Sequence, residues 1–328
     1  MMDRILVTGA AGSIGSALVN RLLELGFSVC LFDNSEEGLF KLRKSIKVCH
    51  APNVRFFLGD IRDRERLMRA FNGVTTVFHC AAYKHVEICE YNAFEAVQTN
   101  VIGTQNVIDA ALVQRVSNVV FASSDKAVNP TSTMGSTKML AERLITSAAS
   151  WQGNTSTVFT AVRFGNVWNS SGSVSTVWKK QICSGYITLT DPRMSRFVIT
   201  FDEAIDLCLF ASRYPVSGSI IVKSMGSVNM GDLANTVCKS LPNVQIRLTG
   251  AIAGEKLYEE LLTEQESLMA SLDQGYYIIK SNSSFGSVST PALSVPPLRS
   301  DNDECQSESL LHSLVLDLVV PNKTVSES

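Results

Sequence analysis

The sequence predicts an α/β protein: a Rossmann-type doubly wound parallel sheet with a small C-terminal substrate-binding lobe. Three observations carry this expectation. Short apolar runs alternate with amphipathic segments up to about residue 165, the pattern of strands and helices in a parallel sheet. The first run, Arg4-Ile5-Leu6-Val7-Thr8, leads into Gly9-Ala10-Ala11-Gly12-Ser13-Ile14-Gly15 and then into helical periodicity over residues 16–25. Beyond residue 165 the alternation loosens into polar turns and arginine-bearing loops.

Each element carries its own chemistry. Gly9 permits a tight turn, Gly12 lets the backbone approach a pyrophosphate, and Gly15 lets the helix pack on the strand. Ser13 and Ile14 lie at the positive end of that helix, where phosphates bind. The second strand, Ser28-Val29-Cys30-Leu31-Phe32, ends in Asp33, which is placed to accept hydrogen bonds from ribose hydroxyls. A carboxylate there repels a 2′-phosphate, so NAD is expected rather than NADP. The third strand, residues 54–58, is followed by Asp60 and Ile61, which line the adenine pocket or cap the next helix near Asp63. The fourth strand, Thr76-Val77-Phe78-His79, delivers Ala81 and Ala82, small enough to lie against a cofactor, and then Tyr83, Lys84 and His85. Lys84 joins the cofactor- and substrate-binding candidates, whereas a lone histidine such as His85 is more often structural. One long helix is expected over residues 92–113, with Asn100 satisfying buried groups beside the site.

The apolar run Val119-Val120-Phe121-Ala122 reads as a buried strand, so Ser123, Ser124, Asp125 and Lys126 fall at its C-terminal end. Ligands bind at that edge of open α/β sheets. Asp125 and Lys126 are adjacent groups able to move protons, and Lys138 follows on the next helix, one turn after Met134. Later in the chain, Asn166, Arg196 and Glu255 join Lys84 as substrate-binding candidates. Asn169-Ser170-Ser171-Gly172 is a polar loop, and residues 191–197 form a turn with two arginines. Arg196 is suited either to a diphosphate or to a surface ion pair. Gly254-Glu255-Lys256-Leu257 is expected to open an amphipathic helix.

These readings divide the chain into a core over residues 1–165, to which later segments return, a lobe over 166–280 and a tail over 281–328. Serine and proline dominate the start of the tail, which is expected to be partly disordered. Residues 307–318 are apolar with a helical pattern, yet the chain beyond about residue 300 is expected to be dispensable for activity.

Composition excludes several classes. A net charge of −2 leaves no footprint for nucleic acid or an anionic membrane. No apolar run is long enough to span a bilayer, and the N-terminus shows no signal-peptide pattern, so a cytoplasmic setting is expected. The eight cysteines are scattered without a C-x-x-C pair, so neither a disulfide framework nor a metal site is expected.

Seven segments resemble one family: Thr8-Gly9-Ala10-Ala11-Gly12-Ser13-Ile14-Gly15, Phe32-Asp33-Asn34-Ser35-Glu36, Ala81-Ala82-Tyr83-Lys84-His85-Val86, Thr99-Asn100-Val101-Ile102-Gly103-Thr104, Ser124-Asp125-Lys126-Ala127-Val128-Asn129-Pro130, Met134-Gly135-Ser136-Thr137-Lys138 and Gly254-Glu255-Lys256-Leu257-Tyr258-Glu259-Glu260. They are similar to the polysaccharide-biosynthesis branch of the extended short-chain dehydrogenase/reductases, which contains the UDP-N-acetylglucosamine 4,6-dehydratases. The resemblance spans about residues 4–280. The wider superfamily carries Tyr-x-x-x-Lys where this chain has Met134 and Lys138; methionine is usual there in much of this branch. Two departures are Ser123-Ser124 for Ser-Thr, and Ala251-Ile252-Ala253 for a Leu-Arg-Pro that would supply a cation.

The resemblance implies NAD-dependent conversion of UDP-N-acetylglucosamine to a UDP-4-keto-6-deoxy sugar for surface glycans. It implies Asp125 as acid for the C6 hydroxyl, Lys126 as base at C5, Ser124 beside them and Lys138 on the nicotinamide ribose. Lys126 then needs a lowered pKa. The O4 base stays open among Asp125, Ser124 through a water, and Tyr83. Configuration at C5 is expected to be retained, with Lys84 and His85 as the second donor were it inverted, and a homo-oligomer is expected. Three other readings stay open: a UDP-sugar epimerase, a catalytically silent NAD-binding sensor and a partner in a glycan-assembly complex.

Overall fold

The structure is a computed structural model that describes residues 3–251, 254–280, 295–302 and 306–320. The chain lays down β1 (Arg4–Thr8), β2 (Ser28–Asp33), β3 (Val54–Leu58), β4 (Thr76–His79), β5 (Asn118–Ala122) and β6 (Val158–Arg163) as parallel neighbours. It then leaves the sheet through β7 (Asn166–Val167), β8 (Tyr186–Leu189) and β9 (Ser195–Ile199), and returns with β10 (Ser219–Lys223), parallel to β6. After β11 (Ser227–Asn229), β12 (Gln245–Leu248) and β13 (Glu260–Leu262), the strands β14 (Ala270–Asp273) and β15 (Tyr276–Lys280) close the edge antiparallel. The resulting order is β14-β15-β10-β6-β5-β4-β1-β2-β3. The strand order reverses between β1 and β4, and a cleft opens there at the C-terminal strand ends.

The strands read as continuous apolar runs because both faces are covered. Helices α1 (Ser13–Glu24), α2 (Glu36–Ser45), α3 (Arg64–Ala70), α4 (Val86–Tyr91), α5 (Ala93–Ala96), α6 (Gly103–Val113) and α7 (Thr133–Trp151) alternate with them. The long helix expected over residues 92–113 is interrupted. Between α5 and α6 the segment Val97–Ile102 is a π-helical turn, and it holds Asn100. Such single-turn widenings recur at functional sites because they re-aim one or two side chains.

The second lobe holds β7, β9 and β11 as one small sheet and β8 with β12 as another. Here α8 (Val174–Ile182) and α10 (Met230–Ser240) build a separate apolar cluster around Trp168, Trp178, Ile187 and Leu233. Between them in sequence, α9 (Phe201–Arg213) packs back on the main sheet, where Ala204, Leu207 and Ala211 join the core.

Two expectations about the C-terminal third are corrected. Residues 254–259 form no helix. Their backbone is taken by other segments: Gly254 O accepts from Thr131 Oγ1, Leu257 O from Ser195 N and Glu259 O from Ser300 N. The stretch leads instead into β13, which pairs with β16 (Leu298–Arg299). Nor is the end of the chain a loose appendage. After α11 (Glu264–Ser267), helix α12 (Glu308–Val319) buries Leu314, Val315 and Leu318 in the second cluster. Its Asp317 accepts from Trp168 Nε1 at 2.8 Å and pairs with Lys179 at 2.7 Å. A short amphipathic helix docks because its partner lobe offers an unfilled apolar face, which composition alone does not reveal. The serine-rich residues 281–294 lie outside the described residues.

One buried charge group ties the end of β6 to α7, α11 and β13. Arg163, at the end of β6, is held by Glu142 of α7 (2.6 Å) and Glu266 of α11 (2.7 Å), and also donates to Leu261 O. Burial opposes the guanidinium's charge, but the two carboxylates more than compensate and its pKa is raised.

We predict that Leu314→Ala lowers unfolding stability by about 2–5 kcal/mol, the range for emptying a buried leucine site. A chain ending at residue 306 should be insoluble or inactive. Denaturant melts and soluble yield check both; unchanged values would remove α12 from the core.

Candidate active site

The β1–α1 turn sets the first wall of the cleft. Gly9 has φ +65°, and a Cβ there would lie 2.7 Å from Ala81 N, so backbone meets backbone where β1 and β4 end. Gly12 and Gly15 complete the turn, Ser13 begins α1, and Ile14 packs on the core. Asp33 is buried at the end of β2, with its two carboxylate oxygens accepting from Ala11 N and Ser35 N, each at 2.9 Å. This bonding fixes the carboxylate facing the turn and leaves lone pairs for a ligand. The cleft has a volume of about 360 Å³ and is lined by Gly9, Gly12, Asp33, Asp60, Ile61, Ala81, Ala82 and Tyr83, among others. Among the described residues no lysine or arginine lines it, so no cationic side chain there faces a 2′-phosphate. Asp60 is already engaged by Arg62, which donates from its backbone and guanidinium. Cys80, also in the lining, is pushed up to about 12 by burial and stays a thiol.

The floor of the cleft is braced from the π-helical turn. Asn100 accepts from Tyr83 N at 2.8 Å and donates to Tyr83 O at 3.1 Å and Thr137 Oγ1 at 3.0 Å. Its amide is thus taken by protein groups, and it acts as a brace between the β4 exit and α7. Beside it Thr99 Oγ1, in a residue that lines the cleft, and Ser123 Oγ at the end of β5 are buried with no hydrogen-bond partner among the described residues. An orphaned hydroxyl such as that of Thr99 fits a polar ligand that completes it. Lys84 donates from Nζ to Ser171 O at 2.6 Å, and Ser171 N donates to Ser13 Oγ at 3.1 Å. The Asn169-to-Gly172 loop therefore reaches across to the glycine turn and to the β4 exit. Burial lowers the Lys84 amine from its ordinary value.

At the end of β5, Ser124 caps a short 3₁₀ turn over Asp125–Ala127. Its Oγ donates to Asp125 Oδ1 at 2.7 Å. Lys126 Nζ donates to the same oxygen at 3.1 Å and to Asn166 Oδ1 at 3.3 Å. Asp125 is fully buried, whereas the Lys126 side chain is 27% exposed, so the amine is the face this pair presents. Burial alone would lower the Lys126 pKa, but Asp125 and Glu259 outweigh it and the pKa is raised. The lowered value that a base at C5 needs is therefore absent from the resting site. The turn is held by a close approach: a Cβ on Gly135 of α7 would lie 2.5 Å from Lys126 O. One turn on, Lys138 donates from Nζ to Ala122 O at 2.9 Å, and burial lowers its amine to about 8. Met134 is buried against Cys89 and Ala96, forming an apolar wall.

The lobe supplies the remaining candidates unevenly. Asn166 touches Lys126, as above. Arg196 lies on β9 rather than in a turn; it donates to Ser195 O at 2.8 Å and makes no ion pair with the described residues. The turn arginine Arg193 pairs instead with Asp191. Glu255 is exposed, and the carboxylate that reaches the site is Glu259, which is 3% exposed and 3.5 Å from Lys126 Nζ. Sequence reading missed Glu259. Its signal was the second acid in Gly254-Glu255-Lys256-Leu257-Tyr258-Glu259, and choosing between the two acids required the backbone path. Among the described residues no cluster of His, Cys, Asp and Glu could hold a metal ion, and no helix is long and apolar enough to cross a membrane.

Residues 5–281 match the polysaccharide biosynthesis protein family. A Methanocaldococcus jannaschii protein named as an uncharacterized membrane protein is 45% identical over 272 residues, covering 80% of this chain and 81% of its own. A UDP-N-acetylglucosamine 4,6-dehydratase (inverting) of Campylobacter jejuni subsp. jejuni serotype O:2 is 36% identical, covering 86% and 84%. A UDP-glucose 4-epimerase of Rickettsia rickettsii is 35% identical, covering 84% and 82%. Among solved structures, Pen from Bacillus thuringiensis superposes with a TM-score of 0.89 at 39% identity, covering 97% of this chain and 98% of that one.

We predict that Asp33→Ser weakens NAD binding by about 1–3 kcal/mol, the worth of charge-assisted hydrogen bonds. Calorimetric titration of the purified protein checks this; unaltered NAD affinity would take Asp33 out of the dinucleotide site.

Proposed function

The chain belongs to the polysaccharide biosynthesis protein family, and on that premise we propose that it is an NAD-dependent nucleotide-sugar 4,6-dehydratase acting on UDP-N-acetylglucosamine. The observation that carries this reading is the Asp125–Lys126 pair at the end of β5, with buried Met134 standing where a tyrosine acid/base would be. Proton chemistry then falls to the pair. NAD, when bound, supplies a hydride acceptor for C4 and later the same hydride as donor at C6. The glycine turn and Asp33 bind it, and Lys138 lies where the nicotinamide ribose is expected.

The chain's own groups handle protons. The resting pair is a carboxylate and an ammonium, joined by a 3.1 Å hydrogen bond. A single proton crossing from Lys126 Nζ to Asp125 Oδ1 arms both: a neutral amine to take the C5 proton, and a carboxylic acid to protonate the departing C6 hydroxyl. Ser124, donating to the same carboxylate oxygen, keeps Asp125 oriented. The O4 proton goes to Asp125, to Ser124 through a water, or to Tyr83, which lines the cleft. Arg196, free of a carboxylate partner within 4 Å among the described residues, is suited to the diphosphate.

Retention at C5 is supported by the engagement of the groups an inverting donor would come from. Lys84 is bonded to Ser171 O, and the His85 ring sits so close to Gly172 that a Cβ there would be 3.0 Å from it. The name of the C. jejuni relative favours the opposite outcome. A second reading, a UDP-sugar epimerase, is favoured by the R. rickettsii relative and opposed by Met134, which has no proton to exchange.

We predict that incubation with UDP-N-acetylglucosamine gives a product lighter by one water. Lys126→Ala and Asp125→Asn should each cut turnover by about 10³-fold or more while NAD still binds. Met134→Ala should cut it far less. Mass spectrometry of the product decides; an isomer of unchanged mass would favour the epimerase, and no product at all the silent sensor. Run in deuterated water, the reaction should give a product that retains the C5 configuration and carries deuterium there. An L-arabino product by NMR would mean inversion and turn attention to Lys84 and His85.

A further inference from the structure

Glu259 belongs to neither the cofactor cleft nor the strand end that carries the catalytic pair, yet its carboxylate is buried beside that pair. Its backbone is anchored elsewhere. Glu259 N donates to Ser300 Oγ at 2.8 Å, and Ser300 N donates to Glu259 O at 2.9 Å. This pins the residue beside the β13–β16 pair, independently of β5. The side chain points back: Oε1 lies 3.5 Å from Lys126 Nζ, and Oε2 is buried with no hydrogen-bond partner among the described residues. Asp125 Oδ2 is likewise buried with no hydrogen-bond partner among them. Two carboxylates thus flank one amine, each with one oxygen outside any hydrogen bond to the described residues. The other charges facing Glu259 are Arg196 from β9 and Lys256 from its own segment, whose Nζ stands 3.8 Å from Oε2.

A buried carboxylate this incompletely satisfied is costly and calls for a use. We propose that Glu259 is a positioning residue for Lys126: it holds the amine at the end of β5, opposite Asp125, and governs the pH at which that amine gives up its proton. The inference rests on the dehydratase reading for its place in catalysis, but the coupling of the two groups stands on the geometry alone. Glu259 approaches no group of the cofactor cleft and acts through the amine. Asp125 and Asn166 hold Lys126 from the β5 and β7 side, and Glu259 holds it from the opposite segment. Burial raises the Glu259 carboxyl and Lys126 opposes the rise, so the charge state of each group depends on the other.

The sign of the effect is definite. Glu259→Gln keeps the shape and removes one anion, so the ammonium is less favoured and the neutral amine appears at lower pH. The test is acetylation of Lys126 by acetic anhydride in the NAD-saturated enzyme, followed by peptide mass spectrometry. Only the neutral amine reacts, so across about pH 7–10 the rate reports its fraction. Glu259→Gln should label about 10-fold faster, equivalent to a shift of about one pH unit, and Glu259→Asp should return the rate toward wild type. Equal rates in wild type and Glu259→Gln would overturn the proposal. A rate raised equally in Glu259→Gln and Glu259→Asp would also overturn it, because that pattern reports mere loosening. In parallel, the rising limb of kcat against pH for UDP-N-acetylglucosamine should move down by the same amount, with KM within about two-fold. If wild-type enzyme forms no dehydrated product, the dehydratase reading falls, while the labelling rates still decide the coupling.

Discussion

The ammonium of Lys126 lies between the carboxylates of Asp125 and Glu259, at 3.1 Å and 3.5 Å. Both acids are almost wholly removed from solvent, and neither charge would be tolerable there alone. Asp125 comes from the end of β5, in the centre of the parallel sheet. Glu259 comes from a segment whose backbone is bonded to β9 and to the Ser300 turn. Pairing these charges requires the second lobe to close on the strand ends in one register. Arg163 at the end of β6 is likewise held between two carboxylates, Glu142 on α7 and Glu266 on α11. Lys126 and Arg163 thus link the sheet to the segments on either side of β13.

Close backbone contact provides the complementary constraint. The β1–α1 turn meets the β4 exit at Gly9, and α7 meets the Asp125–Ala127 turn at Gly135. Neither contact leaves room for a side chain. They bring Asp33, Lys126 and Lys138 onto one edge although the residues are far apart in sequence. Asn100, turned inward by the π-helical segment, ties Tyr83 to Thr137 and makes the cofactor cleft and α7 one unit.

Methionine at position 134 takes its meaning from this packing. It sits with Cys89 and Ala96 as part of an apolar wall and can neither accept nor donate a proton at neutral pH. The side chains at the end of β5 that can exchange a proton are the hydroxyl, carboxylate and amine of the Ser124-Asp125-Lys126 triplet. Their mutual hydrogen bonds make them one coupled system with shared proton equilibria.

Much of this was legible in the sequence because it is local. The glycine turn, the acid after the second strand and the polar residues after Phe121-Ala122 all depend on a strand ending and a helix starting, which periodicity and turn chemistry record. The parallel sheet followed from the alternation of such units. What the sequence left open depends on contacts between distant segments. Residues 254–259 have an amphipathic pattern, but Thr131, Ser195 and Ser300 take their backbone groups and the helix does not form. Glu255 and Glu259 are equivalent in sequence, and only that non-helical path buries the second and exposes the first. The helix at the C-terminus is too short to be stable alone, and it exists because Trp168, Lys179 and the second apolar cluster receive it. Sequence by itself placed the glycine turn, Asp33 and the Ser124-Asp125-Lys126 triplet at the ends of strands. Tertiary structure decided what closes on them: a buried charge is stable only beside its partners, and the second carboxylates, Glu259 for Lys126 and Glu266 for Arg163, lie more than a hundred residues away in sequence.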